Sequence, residues 1–417
     1  MNRDNQDGVL ALLRRNRDFR LLWMATVVSL GGDWFATVAI IGKVTDLGKG
    51  TWITPALGAS LVFVCQMLPS FLVTPVAGPL ADRFNRRTIM ISASLLQACA
   101  ATMFLLPTRS TIWLAFVAQA LVSTLAGFFS PASQASVANL VSADDLKQAS
   151  SLLGTTWGAM LALGASLGAW FSSQFGRDAA FIADVCSFLV AAFIISQIKG
   201  RTRAEVSGVR PRMRPIADTK AALGYARQNR PLFLLLFSKA GFGLSSGVVG
   251  VLSSLASTRF GGGDQTVGIL LAGRGVGVVL GPVVASRLGA TKEVAGILRA
   301  CALSCFVYGF FYIGVGNAPF LWLAFVCTTI AHLGGGTQWT LSTYGLQANT
   351  PDEYRGRIGS ADFALVSLSM SVSFVSGGWL DRQFGATTAF TVLASVAIVW
   401  GALYLRATSS LRKALAG

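Results

Sequence analysis

The 417-residue chain is 53% hydrophobic and only 12% charged, with a mean hydropathy of +0.60, a balance that excludes an ordinary soluble globular protein of this length. Its formal charge of +16 would point to nucleic acid in a soluble chain. In a hydrophobic one, attraction of Lys and Arg to anionic lipid headgroups accounts for it, and no nucleic-acid partner is expected.

Twelve apolar stretches are each long enough to cross about 30 Å of hydrocarbon as a helix. They lie near residues 19–42, 53–80, 88–107, 111–134, 147–175, 179–198, 231–256, 266–288, 294–315, 319–345, 357–380 and 386–406. The fold class is therefore an all-α membrane protein. Arg14, Arg15, Arg17 and Arg20 lead straight into the first stretch without a leader-type cleavage pattern, so that helix is expected to serve as both address and structure.

A charge in hydrocarbon is costly and is kept facing a cavity or a partner, so each one inside a span is a functional candidate. Asp33, in Gly31-Gly32-Asp33-Trp34, lies roughly 21 Å into the first span by the helical rise, past the midplane toward the outside. Two readings stand: a coupling or cation-binding carboxyl that exchanges a proton as a cavity wets and dries, or a structural pair or outer-gate hydrogen bond. Gly78-Pro79-Leu80-Ala81-Asp82-Arg83-Phe84-Asn85-Arg86-Arg87 joins the second and third spans. There Asp82 can meet a positive helix N-terminus, while Arg83, Arg86 and Arg87 hold the loop cytoplasmic. In the fifth span, Gly154, Gly158, Gly164 and Gly168 form a small-residue face for close helix packing. Asp184 in the sixth falls near a span end, where headgroup solvation is expected.

Residues 199–230 are Arg- and Pro-rich and read as a cytoplasmic linker between a bundle over 1–198 and another over 231–417. Lys239 stands early in the seventh span, where its stem can snorkel to the interface. Arg274 stands in the eighth, between glycines that leave the guanidinium room, as a gate or counter-ion, in one reading for Asp33, or as a local structural pair. His332, the sole histidine, offers a protonation switch or a hydrogen bond in a cavity wall. Gln119, Gln338 and Trp339, together with Trp34, read as substrate contacts or as helix-to-helix glue. Asp362, like Asp184, is placed near a span end. Six cysteines lie in apolar stretches without paired spacing, so no metal, cofactor or disulfide framework is indicated. No catalytic motif is present, and no enzyme is expected.

Trp113-Leu114-Ala115-Phe116-Val117 recurs as Trp322-Leu323-Ala324-Phe325-Val326, 209 residues on. The same offset carries Gly168, Trp170, Gln174, Phe175 and Gly176 onto Gly377, Trp379, Gln383, Phe384 and Gly385. So long a period implies two pseudo-symmetric six-helix bundles. With the N-terminus inside, 26 of the 34 Lys and Arg fall on the inner side and 6 on the outer, which places both termini in the cytoplasm.

The loop from Gly78 to Arg87 resembles the signature loop of the major facilitator superfamily. With Arg17-Asp18-Phe19-Arg20 and Arg355-Gly356-Arg357, the resemblance covers nearly the whole chain and is closest to the branch of enterobactin-type siderophore exporters and macrolide-efflux proteins. The resemblance implies a latch from Asp82 to the start of the eleventh helix, where Arg355 and Arg357 offer partners. It also implies a cavity lined by the fourth and tenth helices, and hence by Gln119, His332, Gln338 and Trp339. The implied function is secondary active export of a small amphipathic molecule (drug, siderophore or metabolite) across a bacterial cytoplasmic membrane, driven by protons, by a monomer. The alternative is an uptake permease or facilitator for a sugar or organic anion whose charge Arg274 or Lys239 reads.

Overall fold

In hydrocarbon each backbone N–H and C=O must find a partner within the segment, which leaves helices as the economical answer for long apolar runs. The structure is a computed structural model that describes residues 9–142, 144–200, 223–287 and 293–416, apart from the side chains of 74, 75, 78, 79, 81–83, 147, 352, 353, 356 and 413–416. A short helix Val9–Arg15 precedes the first long one, Arg17–Leu47. The second to sixth are Pro55–Arg83, Arg86–Thr102, Trp113–Leu140, Leu146–Phe175 and Arg177–Ser196; the eighth to twelfth are Asp264–Arg287, Val294–Asn317, Leu321–Asn349, Asp352–Phe384 and Ala386–Ala407. Among the described residues eleven helical segments are long and apolar enough to cross a membrane. The tenth, 29 residues long, falls outside that set because Thr, His, Gln and a Gly triplet dilute its hydropathy.

The seventh span, Arg230–Arg259, is broken into helices Arg230–Phe237, Ala240–Ser245 and Val248–Arg259. Each break is closed by a polar side chain from a neighbouring helix. At the first, Gln338 Nε2 donates to Ser238 O at 2.8 Å. At the second, the Gly247 N–H donates to Ser373 Oγ at 2.8 Å, and that hydroxyl donates to Leu244 O at 2.6 Å. Irregular backbone at membrane depth is tolerated where protein groups satisfy it in this way.

The chain divides into two compact units, Met1–Ile40 with Pro69–Pro211, and Ile41–Leu68 with Arg212–Gly417. The first has a core around Leu12, Phe19, Leu22, Met90 and Ile195; the second is built around Leu235, Leu298, Leu341, Ile358 and Tyr404. Within the second unit, the start of the second helix packs on the seventh and eleventh. Phe63 stacks on Phe374 with centroids 5.2 Å apart, Ser253 Oγ donates to Pro55 O at 2.8 Å, and a Cβ on Gly378 would lie 2.8 Å from Leu57 Cα.

The repeat is legible in the geometry of each half. The fifth and eleventh helices end on Gly176 and Gly385, at φ +86° and +81°, a left-handed turn that a residue with a Cβ resists. Trp170 meets Phe175 edge-on at 6.1 Å, and their counterparts Trp379 and Phe384 do the same at 5.9 Å. Both tryptophans are about half exposed, and Phe193, Phe310, Trp322 and Leu403 more so. Large apolar side chains on the outside of apolar helices mark the faces turned to lipid, and the chain is a multi-pass membrane protein.

Candidate functional site

In the first unit, Asp33 is half-buried on the first helix. The next residue back is a glycine for a reason of space: a Cβ on Gly32 would lie 2.7 Å from Asp184 Oδ1 and 2.7 Å from Ser187 Cβ. The first and sixth helices therefore touch at Gly32, and this brings Asp184 within electrostatic range of Asp33. Asp184 is not at headgroup level as the sequence implied. It is fully buried, because the sixth helix begins at Arg177 and carries it about 10 Å from that end. Ser187 Oγ lies 3.4 Å from Asp184 Oδ1, while Oδ2 has no hydrogen-bond partner.

Trp34 is buried and meets Trp157 of the fifth helix edge-on at 6.3 Å. Glycines on the fifth helix permit this approach, since a Cβ on Gly164 would fall 2.9 Å from Trp34 Cβ and one on Gly168 would fall 2.7 Å from Phe35 Cα. The expected packing face thus holds at Gly164 and Gly168, whereas a Cβ on Gly154 would meet nothing within 4 Å. Gln119 is buried on the fourth helix, with no ring contact or hydrogen bond to Trp34 among the described residues.

Around the signature loop, Asn85 caps the third helix by accepting from the Arg87 N–H at 3.0 Å. Arg86 is buried and donates to Ala135 O at 2.8 Å, and Arg87 donates to Ser196 O at the end of the sixth helix. Arg87 thus meets the last carbonyl of the sixth helix, as a cation near a helix C-terminus does. The side chains of Asp82 and Arg83, and with them the expected latch, lie outside the described residues. Arg355 bonds Gln347 O at 3.1 Å and Thr350 O at 3.3 Å, closing the end of the tenth helix; Arg357 is half-buried.

The second unit holds two polar clusters. Lys239 does not snorkel. At the first break of the seventh helix it is buried in an ion pair with Asp362 of the eleventh, donates to Thr343 Oγ1 at 2.9 Å, and stands 5.0 Å from the Trp339 ring centroid. The removal of both charges from water is tolerated because each has the other, and the lysine also has a hydroxyl and an aromatic face. Asp362 likewise departs from its expected place near a span end, since it is only 6% exposed on a helix that starts ten residues earlier, at Asp352.

The other cluster surrounds Arg274, which is buried and interacts electrostatically with Tyr308, Tyr312 and His332. The Tyr312 hydroxyl and His332 Nε2 share a hydrogen bond of 2.8 Å, the Tyr308 ring lies tilted against that of Tyr312 with centroids 4.7 Å apart, and His332 Nδ1 is buried without a partner. His332 is thus held by one hydrogen bond, on its Nε2 side. The glycines near Arg274 serve mainly to admit the tenth helix: a Cβ on Gly273 would lie 3.0 Å from Phe325 O, and one on Gly277 2.7 Å from His332 Cβ. Sequence reasoning missed Tyr308, Tyr312 and Thr343 altogether. The first two stand four residues apart on one helix face, in a chain with only six tyrosines, and that spacing was the available signal.

The clusters place acids in one unit, and in the other an ion pair and a cation with phenols and an imidazole, all inside apolar helices. Such intramembrane polar groups characterise transporters, and comparison with known proteins agrees. Residues 8–415 match the family model of transmembrane secretion effectors. The chain is 23% identical over 405 residues to an uncharacterised major facilitator-type transporter, YfiS, of Bacillus subtilis, covering 94% of each chain. It is 22% identical over 392 residues to macrolide efflux protein A of Streptococcus pyogenes, covering 91% of this chain and 94% of that one. Among solved structures it shares the fold of a peptide transporter, POT, with a TM-score of 0.74 at 13% identity over 96% of both chains. The human organic anion transporter MFSD10 superposes with a TM-score of 0.63 at 16% identity, covering 93% of this chain and 99% of that one. The chain belongs to the transmembrane secretion effector family of the major facilitator superfamily.

Proposed function

We propose that this protein exports a small amphipathic molecule across a bacterial cytoplasmic membrane by alternating access, exchanging it for protons at Asp33. The bundles over 1–198 and 231–417 rock about the linker 199–230, both termini are cytoplasmic, and the working unit is a monomer. The observation that carries the reading is Asp33 beside Asp184, whose Oδ2 has no hydrogen-bond partner. Two carboxyls so placed within apolar helices cannot both be charged at small cost, which suits the pair to carrying a proton. The efflux relative supports the outward direction. Uptake of an organic anion read by Lys239 gains no support, because that lysine's charge is matched by Asp362.

In proteoliposomes with an imposed proton gradient and a macrolide as test substrate, Asp33→Asn is expected to abolish gradient-driven transport while membrane insertion stays normal. Undiminished gradient-driven transport by that variant would remove Asp33 from the mechanism.

A further inference from the structure

Asp381 stands on the eleventh helix about 5 Å before its last residue, Phe384, at the end that the proposed orientation turns outward. It is 8% exposed, and its Oδ1 has no hydrogen-bond partner. Ser254 of the seventh helix is a polar neighbour. Among the described residues no cation pairs with it. Arg382 follows it in sequence but is exposed. Arg259, at the end of the seventh helix, is committed to Gly316 O, Ala318 O and Thr387 Oγ1 at 2.8, 3.2 and 2.9 Å. The second helix carries no charge before Asp82, and the twelfth none before Arg406. Ahead of the second helix, Lys49 pairs with Asp46 at 2.7 Å, and Lys43 lies about a turn before Asp46 on the first. His332 of the tenth is bonded to Tyr312.

The face that carries Asp381 is the one covered by the start of the second helix. Phe374, Gly378 and Asp381 follow one another at four- and three-residue spacing and so share one side of the eleventh helix. On that side Phe374 stacks on Phe63, and Gly378 is held against Leu57 too closely for a Cβ. On the seventh helix Ser253, beside Ser254, donates to Pro55 O at 2.8 Å. Packing does not itself require an acid here, since the equivalent place in the first half, 209 residues earlier, holds Ser172, which is also buried. A carboxylate shut away from water without a cation is costly, and the neutral acid is far less so.

We propose that Asp381 is a second proton-binding site, which ties closure of the second helix onto the seventh and eleventh to uptake of a proton from the outer side. In the closed form the carboxyl is neutral. When the start of the second helix lifts, water reaches Asp381 and the proton is released. The closed form therefore holds one proton more than the open one, so a fall in outer pH favours closure and a rise favours opening. Asp381 returns its proton to the side from which it came, so it gates the cycle and does not carry charge across. The inference rests on the alternating-access reading but not on Asp33 as the coupling acid.

The test is hydrogen–deuterium exchange of the full chain in lipid nanodiscs, read by mass spectrometry over peptides spanning residues 53–63 and corrected for the pH dependence of intrinsic exchange. Every sample carries Asp33→Asn, so that proton exchange at Asp33 cannot supply the signal. With Asp381 intact, the opening equilibrium of that segment should rise by up to about tenfold per unit between about pH 5 and about pH 8, the slope for a single proton. Asp381→Asn should hold the segment closed and flatten the profile, and Asp381→Glu, which keeps the acid, should retain a slope. Asp381→Ser serves if Asp381→Asn is not monodisperse and should likewise be flat. A flat profile with Asp381 intact, an unchanged slope in Asp381→Asn or Asp381→Ser, or a slope lost equally in Asp381→Glu would overturn the site. Transport by Asp33→Asn is measured separately, so a failure of coupling at Asp33 and a failure of the gate at Asp381 are read in different experiments.

Discussion

Lys239 and Asp362 show how much a single side chain inside the membrane depends on its partner. Removal of one member leaves the other charge buried and uncompensated, at a cost of about 3–5 kcal/mol, whereas replacement of both by apolar residues of similar size is near neutral. Lys239→Met should therefore lower the thermal unfolding midpoint in detergent well below wild type, and Lys239→Met with Asp362→Leu should recover most of the loss. A double variant no better than the single would mean that the loss does not come from an uncompensated buried carboxylate. Sequence alone singled out Lys239, because a lysine in an apolar run is conspicuous. Its partner is 123 residues away and could not be read from local pattern. Asp184 and Asp362 were misplaced for one reason: hydropathy begins a span where charges thin out, yet the helices themselves begin at Arg177 and Asp352, so both acids sit deeper than the apolar boundary implies.

Between helices, glycines set the distances. Gly273, Gly277 and Gly281 lie one above another at four-residue spacing on the eighth helix and admit the tenth to backbone contact, the small-residue mode of association in membranes. Valine at 277 would collide with His332 Cβ and with the tenth-helix backbone. Gly277→Val should destabilise by about 2 kcal/mol or more and disturb the Tyr312–His332 bond. Gly154→Val, in open space, should change stability by about 0.5 kcal/mol at most. Equal shifts in melting temperature would contradict this assignment. The glycine face of the fifth helix was legible in sequence as close packing, correctly at Gly164 and Gly168, whereas the glycines of the eighth were read as room for Arg274 and instead admit the tenth helix. The breaks in the seventh helix were not legible, because Ser and Gly within an apolar run fit an unbroken helix equally well. Gln338 and Ser373, brought in from other helices, satisfy the backbone where it lets go.

At the scale of the whole chain, the start of the second helix is part of the same compact unit as the seventh and eleventh. A Cβ on Gly250 would lie 3.2 Å from Ser60 Cβ, close to the usual separation of about 3.5–4.5 Å across a disulfide. Under the proposed cycle these segments must part, so oxidised Ser60→Cys with Gly250→Cys should stop transport and a reductant should restore it. Undiminished transport with the cross-link in place would argue against that movement. Single-cysteine variants provide the control for the native thiols. The helical, multi-pass architecture was legible in the sequence, because long apolar runs recur along the whole chain. The chemistry was less so, since the repeat reports what the halves share and the polar clusters lie where they differ.

The paired corners at Gly176 and Gly385 bear on how such a chain could arise. Each closes the fifth helix of its half with nearly the same backbone angles, and each leads directly into another apolar helix. Six crossings return a chain to the side on which it began. A gene for one half could therefore be copied in tandem and read through, and the second copy would enter the membrane in the same orientation as the first, with no reversal of its charge bias.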